Sequence, residues 1–156
     1  MRRFQIYLFL LIFLLLTGCN PTSKTRRYSK YYHVLEKGAA SCRIAFDETI
    51  TGEEGRWEFR IGFSSKSIYD KVRFEDIIIT DGITTIHKKV SVEITSPHYI
   101  QFDDTYSYDY EYEHNFLEKD YDVKWKVLIE EEGEVYRYDL SHTLEFEKFT
   151  TLKWTR

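Results

Sequence analysis

The chain has 156 residues, with 22 Lys and Arg against 26 Asp and Glu, a formal net charge of −4, and 17% aromatic side chains. That length suits one domain with a sizeable core and is too short for two, and the negative balance disfavours nonspecific nucleic-acid binding. Thirteen Tyr and only two Pro suit strands better than helices or disorder.

The first element is an address. Arg2 and Arg3 precede a predominantly apolar core of 13 residues, Phe4–Leu16. A membrane-spanning helix needs ~20 such residues, whereas the hydrophobic region of an export signal has ~7–15 and ends in small residues. Leu16-Thr17-Gly18-Cys19 follows directly. This combination resembles the signal peptide and lipobox of bacterial lipoproteins. The resemblance, confined to residues 1–19, implies cleavage before Cys19 and acylation of its thiol, so that residues 1–18 are discarded and Cys19 is the lipid anchor. Acyl chains contribute ~0.8 kcal/mol per buried methylene, which makes such an anchor nearly permanent. Arg2-Arg3-Phe4 lacks the rest of a twin-arginine motif, which leaves the general secretory route. Asn20 stands where that family carries Asp for inner-membrane retention, and no acidic stretch follows for surface display. The expected location is the bacterial cell envelope, on the outer membrane facing the periplasm.

After cleavage, 20 basic and 26 acidic residues remain, a net −6. Residues 19–36 open with turn formers and a basic cluster, Lys24, Arg26, Arg27 and Lys30. They read as a lipidated flexible tether whose cations can rest on anionic headgroups, with Tyr28, Tyr31 and Tyr32 as candidates for inclusion in the fold. A single domain is expected over 37–156.

From Gly38 onward the pattern has a period of two. Cys42, Ile44 and Phe46 share one strand face, as do Trp57, Phe59, Ile61 and Phe63. "VRFEDIII" runs into Asp81-Gly82, a two-residue hairpin signal, and pairs with a strand whose Ile86, Val90, Val92 and Ile94 face inward and whose His87, Lys89, Ser91 and Glu93 face outward. A short helix is expected at Ser67–Lys71. A second hairpin turns near Gly133, with Val123, Trp125, Val127 and Ile129 on the core side. The last strand, His142 to Trp154, shifts parity after Phe146, which predicts a bulge around Lys148–Phe149. Eight or nine strands at a spacing of roughly 8–12 residues predict an all-β antiparallel sandwich, Ig-like or related, with a barrel as the alternative. The Cys–Trp–Cys signature of immunoglobulin domains is absent, so that label rests on strand pattern alone.

The most unusual stretch is "QFDDTYSYDYEYEHNFLEKDYD". Tyr106, Tyr108, Tyr110 and Tyr112 fall on one strand face, and Ser107, Asp109, Glu111 and Glu113 on the other. As a protein interface, the carboxylates meet a basic partner and tyrosines anchor it. As a sugar site, tyrosines stack on rings while carboxylates accept hydroxyl hydrogen bonds. As plain structure, the tyrosines pack on the core and the charges keep the strand soluble. The candidate partner-binding set is Tyr106, Tyr108, Asp109, Tyr110, Glu111 and Glu113.

Metal chemistry has little support. Asp103, Asp104 and Asp109 lack a calcium-loop pattern, Glu53 and Glu54 read as a solvated turn, and no histidine pair stands at ligand spacing. Cys42, the one cysteine left after lipidation of Cys19, reads as a buried core thiol. No nucleophile-elbow, phosphate-loop or dinucleotide motif occurs. The expectation is a non-catalytic, lipid-anchored protein-binding module: an assembly component, an inhibitor or an immunity-type protein. A glycan-binding module is the alternative. No cofactor is expected beyond the lipid on Cys19. The partners are the bilayer and an envelope or exported protein of basic character.

Overall fold

Alternating sequence becomes strand through most of the chain. The computed structural model describes residues 21–46, 56–94, 98–100 and 105–152. Eleven strands occur among them: β1 (Pro21–Tyr28), β2 (Tyr31–Leu35), β3 (Gly38–Phe46), β4 (Trp57–Ser65), β5 (Lys71–Thr80), β6 (Thr85–Ile94), β7 (His98–Ile100), β8 (Thr105–His114), β9 (Tyr121–Glu131), β10 (Glu134–Leu144) and β11 (Phe146–Leu152). β1 and β11 form a two-stranded ribbon; the chain divides into two compact units so that Tyr28 and Phe146, at the inner ends of these strands, belong with the nine other strands in the unit Arg27–Phe146.

The other nine strands make two antiparallel sheets, ordered β10-β9-β5-β6 and β2-β3-β4-β8-β7, and neither closes into a barrel. If β3, β4, β7 and β8 are labelled A, B, D and E, and β5, β6, β9 and β10 are labelled C, C′, F and G, the sheets read ABED and GFCC′. That is the strand order of an immunoglobulin sandwich, with β2 added beside A. The core lies between the sheets. Phe59, Ile61 and Phe63 of β4 and Val123, Trp125, Val127 and Ile129 of β9 are buried in it, as their spacing requires.

Immunoglobulin domains in antibodies pin their sheets with a disulfide, and this sandwich uses packing and a tyrosine instead. Cys42 is buried and unpaired. Tyr121 opens β9, and its hydroxyl accepts the Leu117 N–H at 2.7 Å. This is the arrangement of the tyrosine corner at the E–F junction. Val123, two residues on, is fully buried at the position where those domains place the second cysteine of the pin. Tyr28 completes the clamp by donating its hydroxyl to the Leu117 carbonyl.

Several local expectations need correction. Residues 21–35, read as part of a tether, are mostly strand. β2 pairs with β3 from Tyr31↔Cys42 to Leu35↔Gly38, and Tyr28 is buried against Trp57, Phe116, Tyr121 and Phe146. Burial of Tyr28 and Leu35 outweighs the polar composition around them, so the sandwich begins well before residue 37. The helix expected at Ser67–Lys71 is absent. That segment bends so that Tyr69 is buried, with its hydroxyl donating to the Lys37 carbonyl at 2.6 Å and accepting from Ser65 Oγ at 3.3 Å.

The β5–β6 loop has four residues rather than two. Thr80 pairs with Thr85, and the Asp81 carboxylate accepts the Ile83 and Thr84 N–H groups at 2.9 and 2.8 Å. Parity along β6 agrees with expectation at Ile86, Val92 and Ile94, which pack against the core, and departs from it between them. Asp76 adopts φ 50° at a bulge where the β5–β9 register shifts, and beyond it Ile77 and Ile79 rather than Ile78 turn inward. Their partners on β6 are Lys89 and His87, which therefore take the inner side, while Val90 is 70% exposed. Finally, the last expected strand is divided at Glu145, between β10 and β11. Ser29 N–H donates to the Glu145 carbonyl and Glu145 N–H to Ser29 Oγ, both at 2.9 Å, which draws the chain out of the β9–β10 ladder.

Candidate partner-binding face of the sandwich

β8 owes its place to register with β4, in which Phe59↔Tyr112, Ile61↔Tyr110 and Phe63↔Tyr108 share the inner face. The tyrosine row consequently turns toward the core. Tyr108 is 2% exposed with its ring 6.2 Å from Phe63, and Tyr106, Tyr110 and Tyr112 are half-buried against the core. The Tyr112 ring centroid lies 3.9 Å from that of His87, and the Tyr110 hydroxyl lies 3.5 Å from His87 Nε2. Burial raises the phenols of Tyr108 and Tyr110 above their ordinary range. These tyrosines contribute to the core, Tyr108 almost wholly and Tyr106, Tyr110 and Tyr112 in part.

The acidic residues take the outer face, as their alternation implies. Glu111 and Glu113 are exposed and Asp109 is half-buried. Arg60 and Arg56, which the sequence did not single out, meet them. Arg60 pairs with Glu111 and with Glu58, the latter at 3.3 Å, and Arg56 pairs with Glu113. Glu111 and Glu58 can also share a proton in a carboxyl–carboxylate hydrogen bond. That bond holds the Glu58 carboxyl down, with Arg60 helping, and pushes the Glu111 carboxyl up, with Arg60 opposing. The row is a charge ladder with two built-in cations, and a basic partner must compete with them. Asp109 differs. It lies across from Gly62, accepts Ser107 Oγ at 3.4 Å, and has no Lys or Arg ion-pair partner among the described residues.

The remaining candidates separate cleanly. Cys42 is fully buried and burial raises its thiol pKa, as a core role requires. His33 is exposed and its Nδ1 lies 2.8 Å from the Tyr31 hydroxyl. Among the described residues no group of three or more His, Cys, Asp or Glu side chains could hold a metal ion, and no helix is long and apolar enough to cross a membrane. Cys19, Glu53, Glu54, Asp103 and Asp104 lie outside the described residues. Comparison with protein-family models, curated proteins and solved structures gives no match.

Proposed function

We propose that the chain is a bacterial envelope lipoprotein whose immunoglobulin-like sandwich, held on a membrane through acylated Cys19, binds another protein and performs no catalysis. The membrane half of the reading rests on Leu16-Thr17-Gly18-Cys19 behind a short apolar core. The binding half rests on one observation: the outer face of β3, β4 and β8 carries Asp109, Glu111 and Glu113 on a rigid sheet, with the tyrosines spent on the core. A sheet face with alternating charge suits recognition of a protein surface, where charge complementarity sets specificity and association rate. The site faces the periplasm from the outer membrane, and assembly, inhibition and immunity roles would all use this same surface chemistry.

The test is site-specific photocrosslinking in intact bacteria expressing the full chain. Photoreactive residues are placed at Arg43 or Glu113 on this face, and at Lys124 or Ser141 on the outer face of the other sheet. A discrete crosslinked envelope protein from the first pair, absent from the second, is expected. Crosslinks only from Lys124 or Ser141 would overturn the assignment of the face. No crosslinked protein from any of the four would overturn the binding role.

A further inference from the structure

Beside the acid ladder, the outer face of the five-stranded sheet contains a trough whose walls differ in chemistry. Register defines it. One row across the sheet reads Tyr32, Ser41, Gly62, Asp109, and the next reads Val34, Ala39, Ser64, Ser107. The floor strands, β3 and β4, carry nothing larger than Ser at these positions. With strands ~4.8 Å apart, three intervals separate the wall strands β2 and β8 by ~14 Å. One wall is apolar and presented to solvent, with Tyr32 62% and Val34 77% exposed. The other wall is the Asp109 carboxylate. Gly62 is what lets that carboxylate lie over the floor, because a Cβ there would stand 2.3 Å from Asp109 Oδ1 and 3.0 Å from Ser41 Oγ. Arg43 and Arg60, paired across β3 and β4, stand in the next outward row.

The charges argue for the occupant. Glu58, Glu111 and Glu113 each have an arginine, whereas Asp109 has only a serine hydroxyl among the described residues. Of these four carboxylates, Asp109 is the one a cation arriving from outside would find without an arginine, and a charge-assisted hydrogen bond is about twice as strong as a neutral one. Tyr32 and Val34 meanwhile lose exposed apolar surface only if something covers them. In an extended chain, residues i and i+2 point the same way ~7 Å apart. The flexible stem of Lys or Arg bridges the rest of the span.

We propose that the trough receives an extended segment of the partner protein, with an apolar residue against Tyr32 and Val34 and, two positions later, a Lys or Arg at Asp109. This inference rests on the protein-binding reading above and names the partner's chemistry and its seat.

The probe is the peptide acetyl-Thr-Val-Thr-Lys-Thr-amide, titrated into the isotopically labelled full chain in detergent micelles and followed by amide chemical shifts. A counterpart with Glu in place of Lys serves as comparison. Saturable shifts at Ala39, Ser41, Gly62 and Ser64 are expected for the Lys peptide. Affinity should weaken about tenfold in Asp109→Asn, which is isosteric and keeps the fold. It should weaken severalfold in Val34→Ser and stay within about twofold in Glu134→Gln, remote from the trough. Equal shifts with the Glu peptide, shifts centred elsewhere, or unchanged affinity in Asp109→Asn would each overturn the inference. The two readings fail separately: crosslinks through Arg43 or Glu113 with no peptide in the trough remove the seat and leave protein binding standing. Absence of crosslinks from both faces removes protein binding itself.

Discussion

Replacing Tyr121 by Phe deletes one oxygen and keeps the ring among Tyr28, Phe116 and the core. What is lost is the acceptor for the Leu117 N–H at 2.7 Å. The Leu117 side chain is 61% exposed, so its own apolar burial does little to hold the loop before β9, and the backbone clamp from Tyr121 and Tyr28 carries that burden. A neutral hydrogen bond contributes ~0.5–1.5 kcal/mol net, and stranding its buried partner costs ~1–3 kcal/mol. The site is only partly buried, so Tyr121→Phe should cost about 1–2 kcal/mol, roughly 4–8 °C of melting temperature in a domain of this size. Tyr28→Phe should cost a similar amount. Because both hydroxyls hold the same residue, the double variant should fall short of the sum of the singles by about 0.5 kcal/mol or more. The assay is urea unfolding of the full chain followed by the fluorescence of its three tryptophans, of which Trp57 and Trp125 are buried in the sandwich, with Tyr110→Phe as a control expected to cost little, since its hydroxyl stands 3.5 Å from His87. A Tyr121→Phe midpoint equal to the parent's, or strictly additive singles, would refute the clamp.

Cys42 should resist thiol reagents under native conditions, and Cys42→Ala should cost about 1 kcal/mol for the small cavity it leaves; rapid native modification, read by peptide mass, would put the thiol on the surface. The sandwich should lose stability in mild acid. His87 lies below the ordinary histidine pKa, because burial first, and then the charges of Lys89 and His114, disfavour its imidazolium, while the Tyr110 and Tyr112 rings face it from β8. His142 is lowered by burial, with Glu145 opposing. The unfolded chain therefore takes up these protons first. Stability is full above ~6.5, the unfolded value, and falls as pH drops through the depressed folded values. Urea midpoints between about pH 7 and pH 5 should decline, less steeply in His87→Gln; a slope that His87→Gln leaves unchanged would remove His87 as a cause.

Strand pattern was legible wherever one face is core and the other solvent. The alternation at Trp57–Phe63 and at Val123–Ile129 gives the buried faces directly. Gly133 marks a turn in which Glu132 and Gly133 take φ 51° and 84°, the type I′ geometry of a two-residue hairpin. What failed has specific causes. The inversion along β6 begins at Asp76, a non-glycine residue in a left-handed conformation, and no residue type announces it. The β1–β11 ribbon pairs segments from opposite ends of the chain, so its partner is invisible to local reading and a polar stretch passed for tether. Tyr121 and Leu117 sit four residues apart in plain view, but only the turn between them shows that hydroxyl and amide meet.

The candidate face was half legible. Alternation separated the tyrosines of β8 from its carboxylates, and the plain structural reading of the tyrosines as core is the one that the burial of Tyr108 supports. The arginines were missed because Arg60 reaches Glu111 through β4–β8 pairing across some fifty residues of sequence. Tyr32 stands among the tyrosines that the sequence offers to the fold, but its face, shared with Val34, is set only by the pairing of β2 with β3. Gly62 read as an ordinary outward position, and its role appears only once Asp109 lies over it.

In the function proposed above, this sandwich is held on a membrane by Cys19. The most direct measurement is the intact mass of the chain purified from bacterial membranes, with fragmentation at its N-terminus. A protein that begins at Cys19, lacks residues 1–18 and carries a diacylglyceryl group on sulfur is expected. Recovery of a chain that retains residues 1–18, or one with an unmodified Cys19 thiol, would contradict this anchoring.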